Sequence, residues 1–540
     1  MKKTIVTAAV AAWCFISFAA PFTVNRMFGD NMVLQREKEI PVWGTAAPGA
    51  LVTVEFKDIK VSAKSAENGK WQVKLPAMSA ESSPQQLTIR CGKQRKVIKN
   101  VLVGEVLLFF GQSHIELTYN MKLRELKSPD KRTMTPDARQ NLEEKINNFI
   151  KNVPVDPLFR NGRIGLTCYM NWYICDTKTV RHFGVVAYNL GVALRKELGV
   201  PVAILNMARG CSSIESWIPE EYYDEPVLHE ERVHIKDFVK FYESKTAKKL
   251  TQDEEDAYYT AYCKNPKRNM QRYLKDGKVK PSSRAWVWQH LTAVQPTGSI
   301  MNAMRYVCPF PVRGMVWWQG GTNYGDPAGH YFKKLGVLFD AYRKYWNEPE
   351  MKFFVVLQGQ SKNYPGIYSK FRLEQFAAAE TYPNTFLVNN VMTPEAESKM
   401  VHPYGEKVQV GKETAKVLLK HLYQKKDMIG CGPLFDSVEF KDGKAVVSFR
   451  FGNGLRTSDG KAPVGFELAG KDKKYYPAQA VINGENIVVS AANVPAPEYV
   501  RYMWEDVKTV CNLVNKEDLT AFPFDTQFEF FKNKNKINGK

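Results

Sequence analysis

Hydrophobic and polar residues alternate with a period of two between about residues 30 and 105. The alternation is clearest at 51–56, 71–75 and 86–90, and a shorter apolar segment occupies 40–44. Clusters of turn-forming residues separate these segments. Short alternating segments bounded by such clusters are typical of antiparallel strands with one buried face. Several of them at close spacing predict a small β-sandwich.

The pattern changes at about residue 101. Residues 101–110 are almost continuously apolar, which is typical of a parallel strand covered on both faces. Further strands are predicted at 202–206, 313–318 and 352–358, and helices at 188–197, 331–345 and 408–423. This alternation of strands and helices predicts an α/β domain with a parallel sheet.

Two polar, charged stretches interrupt the α/β pattern, at 120–160 and 219–285, and both are predicted to be at least partly helical insertions. The β alternation returns from about residue 434. The predicted organisation is an N-terminal β-sandwich at 20–105, an α/β domain at 106–430 and a C-terminal β-rich region at 431–540.

The first 19 residues have the pattern of a secretory signal peptide. Lys2 and Lys3 precede an apolar stretch, and Ser17 and Ala19 occupy the −3 and −1 positions of a cleavage site. The alternative is a short membrane anchor. We expect residues 1–19 to be removed and the protein to be periplasmic or secreted. No other apolar run in the sequence has the length of a membrane span.

Composition and charge narrow the functional classes. The 540 residues are 44% hydrophobic and 24% charged, as in ordinary globular proteins. The 76 basic and 56 acidic residues give a net charge of +20, but the basic residues are dispersed, which disfavours nucleic-acid binding. The nine cysteines form no CxxC pair, so no zinc site is predicted. Export would permit disulfides, whose pairing the sequence leaves open.

Ser113 is the first candidate for chemistry. It follows the apolar run at 101–110 through Gly111 and Gln112, and it precedes a predicted helix. A serine at the carboxyl end of a parallel strand lies at the edge where α/β proteins bind ligands, and a helix N-terminus there favours negative charge. Such a serine needs a base within hydrogen-bond reach to act as a nucleophile. The alternative is a helix N-cap.

His402 is the candidate base, because histidine is the usual general base near neutral pH. The alternative is a loop histidine with a structural hydrogen bond. Two further segments follow predicted strands: one contains Gly210 and the other ends at Asn323. Backbone N–H groups and an Asn amide there would form an oxyanion hole, although turn formation alone also explains the glycines.

Ser113, Gly210, Asn323 and His402 follow one another in the order found in the SGNH hydrolases. The chain resembles this superfamily, and within it the sialate O-acetylesterase-like carbohydrate esterases. The resemblance extends over nearly the whole mature chain and is carried by residues 27–36, 100–113, 183–188, 210–217, 318–323, 500–504 and 521–524. It implies an SGNH-type three-layer α/β domain with a parallel sheet, flanked by N-terminal and C-terminal β domains.

The resemblance also implies roles for individual residues. Ser113 would be the nucleophile that attacks an acetyl ester, and His402 the general base. The N–H groups of Ser113 and Gly210 and the Asn323 side chain would hold the oxyanion. Apart from the resemblance, Gln112, Glu215, Trp217 and Gln319 are candidate contacts with the substrate. For Trp217, packing in the core is the alternative to stacking on a sugar ring. No metal or organic cofactor is implied.

The sequence departs from the family pattern within two of its motifs. His114 and Ile115 stand where the family has Asn and Met after the serine. Gly321 and Thr322 stand where the family has Glu and Ser before the asparagine. The second departure removes a carboxylate that helps to orient the histidine in family members.

A third departure removes the other orienting carboxylate. Lys399 and Met400 occupy the positions where an Asp precedes the catalytic histidine in the family. Loss of an orienting acid can reduce turnover by about 10⁴-fold when the nucleophile and base remain. Glu395 or Glu397 would be a substitute from the same loop, although each is also explained as a surface acid. A backbone carbonyl is a further way to orient His402.

We therefore expect an exported carbohydrate O-acetylesterase that acts on sialic acid or another acetylated glycan. One alternative is a protein of the same fold that binds glycans with little catalysis, and another is a scaffold that binds no sugar. A carboxylate within about 3.2 Å of the His402 ring nitrogen that faces away from Ser113 would favour the enzyme. The sugar, the acetyl position and the oligomeric state remain open at this point.

Overall fold

The structure is a computed structural model that describes residues 21–127, 134–164, 170–210, 212–228, 304, 306–323, 326–359, 367–390, 402–504 and 511–532. The strands are β1 Thr23–Val24, β2 Val33–Gln35, β3 Ile40–Thr45, β4 Leu51–Phe56, β5 Ile59–Lys64, β6 Lys70–Leu75, β7 Glu81–Cys91, β8 Gln94–Gly111, β9 Asp156–Ile164, β10 Met170–Cys175, β11 Val202–Asn206, β12 Gly314–Trp318, β13 Phe353–Val356, β14 Thr385–Val388, β15 Leu434–Lys441, β16 Lys444–Arg450, β17 Arg456–Thr457, β18 Phe466–Ala469, β19 Tyr475–Pro477, β20 Gln479–Asn483, β21 Asn486–Ser490, β22 Tyr499–Tyr502, β23 Leu513–Val514 and β24 Phe524–Asp525.

The α-helices are α1 Ser113–Glu116, α2 Tyr119–Lys127, α3 Pro136–Asn152, α4 Val185–Leu198, α5 His330–Trp346, α6 Ile367–Thr381, α7 Tyr404–Tyr423 and α8 Glu529–Lys532. Short 3₁₀ turns occupy Val180–His182, Ile214–Trp217 and Glu220–Tyr222. None of the helices within the described ranges is both long and apolar enough to span a bilayer.

The N-terminal β region has two sheets around a shared core. One sheet has the order β1-β3-β6, and the other is formed by β2, β4, β5, β7 and the first half of β8. Burial alternates along β4 and β6, as the period-two sequence pattern predicts. Val42 and Val73 of the first sheet and Val54 and Ile89 of the second are buried in one hydrophobic cluster.

β8 is shared by the N-terminal region and the α/β region. Its first half pairs with β7 in an antiparallel manner, and its second half lies between β11 and β12 in a parallel manner. The predicted domain boundary between residues 105 and 106 therefore falls inside one strand. The two regions cannot hinge freely at this point, because the backbone hydrogen bonds continue through it.

The α/β region has three layers. Its sheet has the order β10-β9-β11-β8-β12-β13-β14, in which the neighbours are parallel except at the β10 edge. Leu107 and Phe109 of β8 pack with α4 and α7 on one face, and Leu108 and Phe110 pack with α5 on the other. Burial on both faces explains the continuous apolar run at 101–110.

The remaining predictions have different outcomes. Residues 120–160 contain α2 and α3, as predicted. Residues 229–285 of the second insertion and the leader at 1–19 lie outside the described residues. The C-terminal region has sheets of order β15-β16-β21-β20 and β19-β18-β22-β24 with a small β17-β23 pair, so its β character is confirmed. Five cysteines within the described ranges are free thiols: Cys91, Cys175, Cys308, Cys431 and Cys511.

A buried carboxylate fixes the base of the central sheet. Glu105, in the middle of β8, is fully buried and accepts hydrogen bonds from Gln35 Nε2 at 3.1 Å, from Arg36 and from Arg313 Nε at 2.8 Å. Burial opposes ionisation, but these donors outweigh it and hold the pKa of Glu105 below its ordinary value. The network ties β2, β8 and the start of β12 together.

A second buried carboxylate lies where α7 meets the C-terminal region. Glu413 is 3% exposed, and its Oε1 accepts hydrogen bonds from Thr520 Oγ1 at 2.9 Å and from Gln409 Nε2 at 3.1 Å. Burial raises the pKa of Glu413 to about 7, although these hydrogen bonds favour the ionised form. A carboxyl group with a raised pKa binds its proton more tightly in the folded protein than in the unfolded chain.

We expect Glu413 to make the protein less stable as the pH rises. The group contributes its full stabilisation below its ordinary pKa of 4.5, and this is lost as the pH rises through about 7. At about 1.4 kcal/mol for each unit of pKa, Glu413 alone should lower the free energy of unfolding by about 3 kcal/mol over this range. Glu413→Gln should remove this contribution, so between pH 4.5 and pH 8 the wild type should lose about 3 kcal/mol relative to the variant, as measured by urea unfolding. The exposed Glu485→Gln should behave like the wild type, and parallel curves for wild type and Glu413→Gln would contradict the assignment.

Candidate functional site

Three segments meet at the carboxyl edge of the parallel sheet. They follow β8, β11 and β12, and they carry Ser113, Gly210 and Asn323 respectively. Gly111 pairs with Trp318 at the end of β8 and has a φ of 126°, and a Cβ at this position would overlap the Trp318 carbonyl. Only glycine fits this conformation and this close approach. Gln112 N–H then donates to the Trp318 carbonyl at 3.0 Å, and α1 begins at Ser113.

Ser113 and Gly210 are neighbours in space. A Cβ built on Gly210 would lie 3.6 Å from Ser113 Cβ and 3.1 Å from Glu116 Oε2. The Gly210 N–H donates to Glu116 Oε2 at 2.6 Å. Glu116 also forms an ion pair with Arg163 at 3.4 Å. The predicted oxyanion donor at Gly210 therefore already binds a carboxylate from within the chain.

Asn323 lies deeper than predicted. It is 4% exposed, and its Nδ2 donates to both oxygens of Glu215, at 3.0 and 3.1 Å, and to Asp326 Oδ2 at 3.1 Å. Its Oδ1 accepts from the N–H of Ile214 at 2.9 Å. The amide is thus fully used in joining the loop after β12 to the 3₁₀ turn that contains Glu215.

Lys334 balances the charge of this buried cluster. Its Nζ pairs with Glu215 and lies 3.0 Å from Asp326 Oδ2. Burial works against ionisation of Glu215, but Lys334 and Asn323 hold the pKa of that carboxyl below its ordinary value. Burial and the nearby Glu215 charge raise the pKa of Asp326. Of the two carboxylates, Asp326 is therefore the first to take a proton as the pH falls.

His402 lies beside the residue that follows Ser113. Its ring centroid is 5.3 Å from that of His114, in an edge-to-face arrangement. The His402 side chain is 21% exposed, but its Nε2 is buried and has no hydrogen-bond partner within the described ranges. Its Nδ1 lies 4.0 Å from Glu125 Oε2, which is beyond hydrogen-bond distance. The acid expected within about 3.2 Å is therefore absent from the residues that the structure describes.

Two lysines surround the histidine pair. Lys122 Nζ donates to the His402 carbonyl at 2.6 Å, and Lys407 Nζ lies 3.0 Å from His114 Nδ1. Burial, Lys407 and Lys122 lower the pKa of His402 to about 3. Burial, Lys407 and His402 likewise lower the pKa of His114 well below its ordinary value. Both imidazoles are therefore neutral at physiological pH, as a general base must be.

The four residues named as candidate substrate contacts, Gln112, Glu215, Trp217 and Gln319, are all buried in the structure. Trp217 is 0% exposed, and its indole N–H donates to Ser212 Oγ at 3.0 Å, so it offers no face to a sugar ring. Gln319 donates to Asn323 Oδ1 at 2.8 Å, and Gln112 Oε1 accepts from the N–H of Gly320 at 3.2 Å. Together with Glu215 they connect the loops, because buried amides and carboxylates must find partners.

Several residues of the site were missed by the sequence analysis. Glu116, Lys122, Glu125 and Lys407 touch the predicted residues, yet each lies in a helix and looks like an ordinary charged position. Lys407 lies on the buried side of α7, together with Glu406 and Glu413. The proposed substitute acids Glu395 and Glu397, and also Lys399, lie outside the described residues.

Comparison with solved structures gives matches of very different quality. A carbohydrate acetylesterase from Xanthomonas citri matches with a TM-score of 0.66 and 24% identity, over 93% of this chain and 99% of that one. A protein from Arabidopsis thaliana matches 59% of this chain and 98% of its own, with 13% identity and a TM-score of 0.32. A family two carbohydrate esterase from Cellvibrio japonicus matches 71% and 88%, with 8% identity and a TM-score of 0.26.

No protein-family model matches the chain, and no curated protein matches its sequence significantly. The similarity to the Xanthomonas citri protein covers both β regions and the α/β region. It shows that nearly the whole chain has this fold.

Proposed function

We propose that the protein is a serine carbohydrate esterase that removes O-acetyl groups from glycans. The observation that carries the proposal is the arrangement at the end of β8. Ser113 is half-buried beside Gly210. His402 packs against His114, the residue after Ser113, and is neutral. Its buried Nε2 has no hydrogen-bond partner within the described ranges, so the bond to Ser113 Oγ is not formed in the resting structure. A buried ring nitrogen without a partner is costly, which is expected where a substrate or nucleophile completes the site.

The reaction would proceed through an acetyl-enzyme. Ser113 Oγ bonds to the acetyl carbonyl carbon while its proton moves to His402 Nε2. The tetrahedral intermediate collapses, the ester C–O bond breaks, and Nε2 returns the proton to the departing sugar hydroxyl. Water then gives a proton to Nε2 and attacks the acetyl carbon. Acetate leaves as the bond to Oγ breaks, and the proton returns to Ser113.

The N–H donors that would stabilise the oxyanion already have hydrogen-bond partners in the structure. Gly210 N–H binds Glu116 Oε2 at 2.6 Å, so a developing oxyanion has to displace this carboxylate. Asn323 is held by Glu215 and Asp326 deep in the loop. We infer that Glu116 moves towards Arg163, its partner at 3.4 Å, when substrate binds.

The substrate class follows from the fold and the resemblance together. The protein from Xanthomonas citri is described as a carbohydrate acetylesterase, and the motifs around Ser113, Gly210 and Asn323 resemble sialate O-acetylesterase-like enzymes. We propose acetylated glycans as the class and O-acetylated sialic acid as a specific member. Export through the predicted leader at 1–19 belongs to the same proposal.

A second function has an observation in its favour. The chain's own carboxylates occupy both the Gly210 N–H and the Asn323 Nδ2, which suits a protein that keeps the esterase fold and binds glycans with little catalysis. The two functions differ in whether acetate is released, so they are separable by experiment.

Ser113→Ala should abolish release of p-nitrophenol from p-nitrophenyl acetate. The loss should be about 10³-fold or more, because the other groups cannot form the acetyl-enzyme. The exposed Ser83→Ala in the N-terminal β region should match the wild type. Equal rates for wild type and Ser113→Ala would exclude Ser113 as the nucleophile.

The rate should be nearly independent of pH in the range where histidine enzymes usually titrate. The base must be neutral, and burial, Lys407 and Lys122 lower the pKa of His402 to about 3. Activity is therefore present above this pKa and is lost only as the pH falls through it. We expect kcat/KM for p-nitrophenyl acetate to stay level between pH 5 and pH 8. An inflection near pH 6.5 would contradict the assigned environment of His402.

Acetate release from real glycans separates the two proposed functions. We expect release from O-acetylated sialic acid or acetylated xylo-oligosaccharides, measured by an enzymatic acetate assay, and none with Ser113→Ala. Calorimetry on Ser113→Ala should still detect binding of the acetylated form. Binding by the wild type without acetate release from any of these glycans would favour the glycan-binding function.

A further inference from the structure

Two side chains of helix α2 lie next to His402. Lys122 and Glu125 are three residues apart on this helix, so their side chains project from the same face. Lys122 Nζ donates to the His402 carbonyl at 2.6 Å and to Glu125 Oε2 at 3.2 Å. The same Oε2 lies 4.0 Å from His402 Nδ1. One helical turn therefore contacts both the backbone and the imidazole of the predicted base.

The position of Glu125 is fixed by a buried charge. The Lys122 side chain is 0% exposed, and a buried ammonium group requires compensating partners. Its hydrogen bond to Glu125 therefore restrains that carboxylate, which is itself 30% exposed. Within the described part of the chain, Glu125 is the acid whose carboxylate comes within 4.0 Å of a His402 ring nitrogen.

We propose that Glu125 is the acid that orients His402, in place of the Asp that is missing at positions 399 and 400. This inference rests on the proposed esterase function. Glu125 is a positioning residue, since it acts on the reaction through the imidazole. It would accept a hydrogen bond from Nδ1–H and so leave the Nε2 lone pair free to take the proton from Ser113 Oγ.

The distance is compatible with this role. Catalytic hydrogen bonds are often long in the absence of substrate and shorten in the complex. A movement of about 1 Å would bring Oε2 from 4.0 Å to hydrogen-bond distance of Nδ1. Because the hydrogen bond from Lys122 keeps the Glu125 carboxylate close to the ring, a small rotation of the Glu125 side chain is sufficient to form the bond to Nδ1.

The charges around the ring favour an acid on the Nδ1 side, although Lys407 also pairs with Glu406 at 3.1 Å. His402 faces Lys122 from α2, Lys407 from α7 and the neutral His114 from α1. When Nε2 takes the proton from Ser113, the imidazolium forms next to two lysines. The imidazolium and the two lysine ammonium groups repel one another, and Glu125 provides a negative charge on the Nδ1 side of the ring. The proton of Nδ1 stays on the ring throughout, so Glu125 takes no part in the proton transfer.

Glu125→Gln tests this role, because it keeps the shape of the side chain and removes its charge. We expect kcat for p-nitrophenyl acetate to fall by about 10²- to 10⁴-fold while KM changes by less than about threefold. Glu125→Asp, which retains the charge on a shorter side chain, should fall between the wild type and Glu125→Gln. Retention of kcat within threefold in Glu125→Gln would overturn the inference, even if the wild type is fully active.

Glu143→Gln is a matched control. Glu143 pairs with Lys127 of the same helix α2 at 3.5 Å and is 29% exposed, so it resembles Glu125 in partner type and burial. It lies on α3 and has no ion pair with His402 within the described ranges. We expect kcat within twofold of the wild type. An equal loss in both variants would show that α2 is merely destabilised and would overturn the role of Glu125.

A readout without activity separates this inference from the proposed function. ¹⁵N NMR of labelled histidines, with His402 assigned through His402→Gln, reports which ring nitrogen carries the proton. The wild type should have the proton on Nδ1, and Glu125→Gln should shift it partly or wholly to Nε2. An unchanged tautomer would overturn the inference whether or not the wild type is an esterase. A changed tautomer in an inactive wild type would support the positioning role while the esterase function fails.

If Glu125→Gln does not fold, Glu125→Asp carries both measurements, with a kcat loss of at least tenfold expected.

Discussion

The whole arrangement depends on β8 being buried on both faces while its end remains open. The strand passes from the N-terminal β region into the centre of the parallel sheet, so its position is fixed by pairing with β7, β11 and β12. Gly111 then turns the chain against Trp318, where no side chain fits. Ser113 is consequently presented by a rigid scaffold, and the loops after β11 and β12 arrive beside it because parallel strands end at one edge.

The charges around the site are opposite in sign to those expected around an oxyanion hole and a catalytic histidine. Carboxylates bind the groups expected to stabilise an oxyanion, and lysines surround the groups expected to become cationic. Each is compensated at rest: Glu116 by Arg163, Glu215 by Lys334, Lys122 by Glu125 and Lys407 by Glu406. In such a site, catalysis requires the carboxylates and lysines to change partners when substrate binds. The hydrogen bonds and ion pairs that stabilise these charges in the resting structure therefore have to be replaced during the reaction.

The parts predicted well from the sequence are those that depend on local pattern. β4 and β11 were predicted with the observed boundaries, because alternation or continuous apolarity within a few residues determines which faces are buried. The convergence of Ser113 and Gly210 also followed, since both lie directly after parallel strands. For Trp217 the sequence left stacking on a sugar and packing in the core both open, because an aromatic residue near a site has the same local pattern in either case.

The acid could not be predicted, because no local pattern connects it with the base. Glu125 and His402 are far apart in sequence, and their contact exists only because α2 packs beside the start of α7. A carboxylate acts on a histidine through position and charge, and neither depends on the order of residues along the chain. A search confined to the residues before His402 finds Lys399 and Met400 and concludes that the function is lost. A helix is in fact a firmer support for an orienting acid than a loop, since neighbouring turns fix the side chain's direction. The missing Asp therefore removes one solution to the orientation of His402, and the fold still offers another.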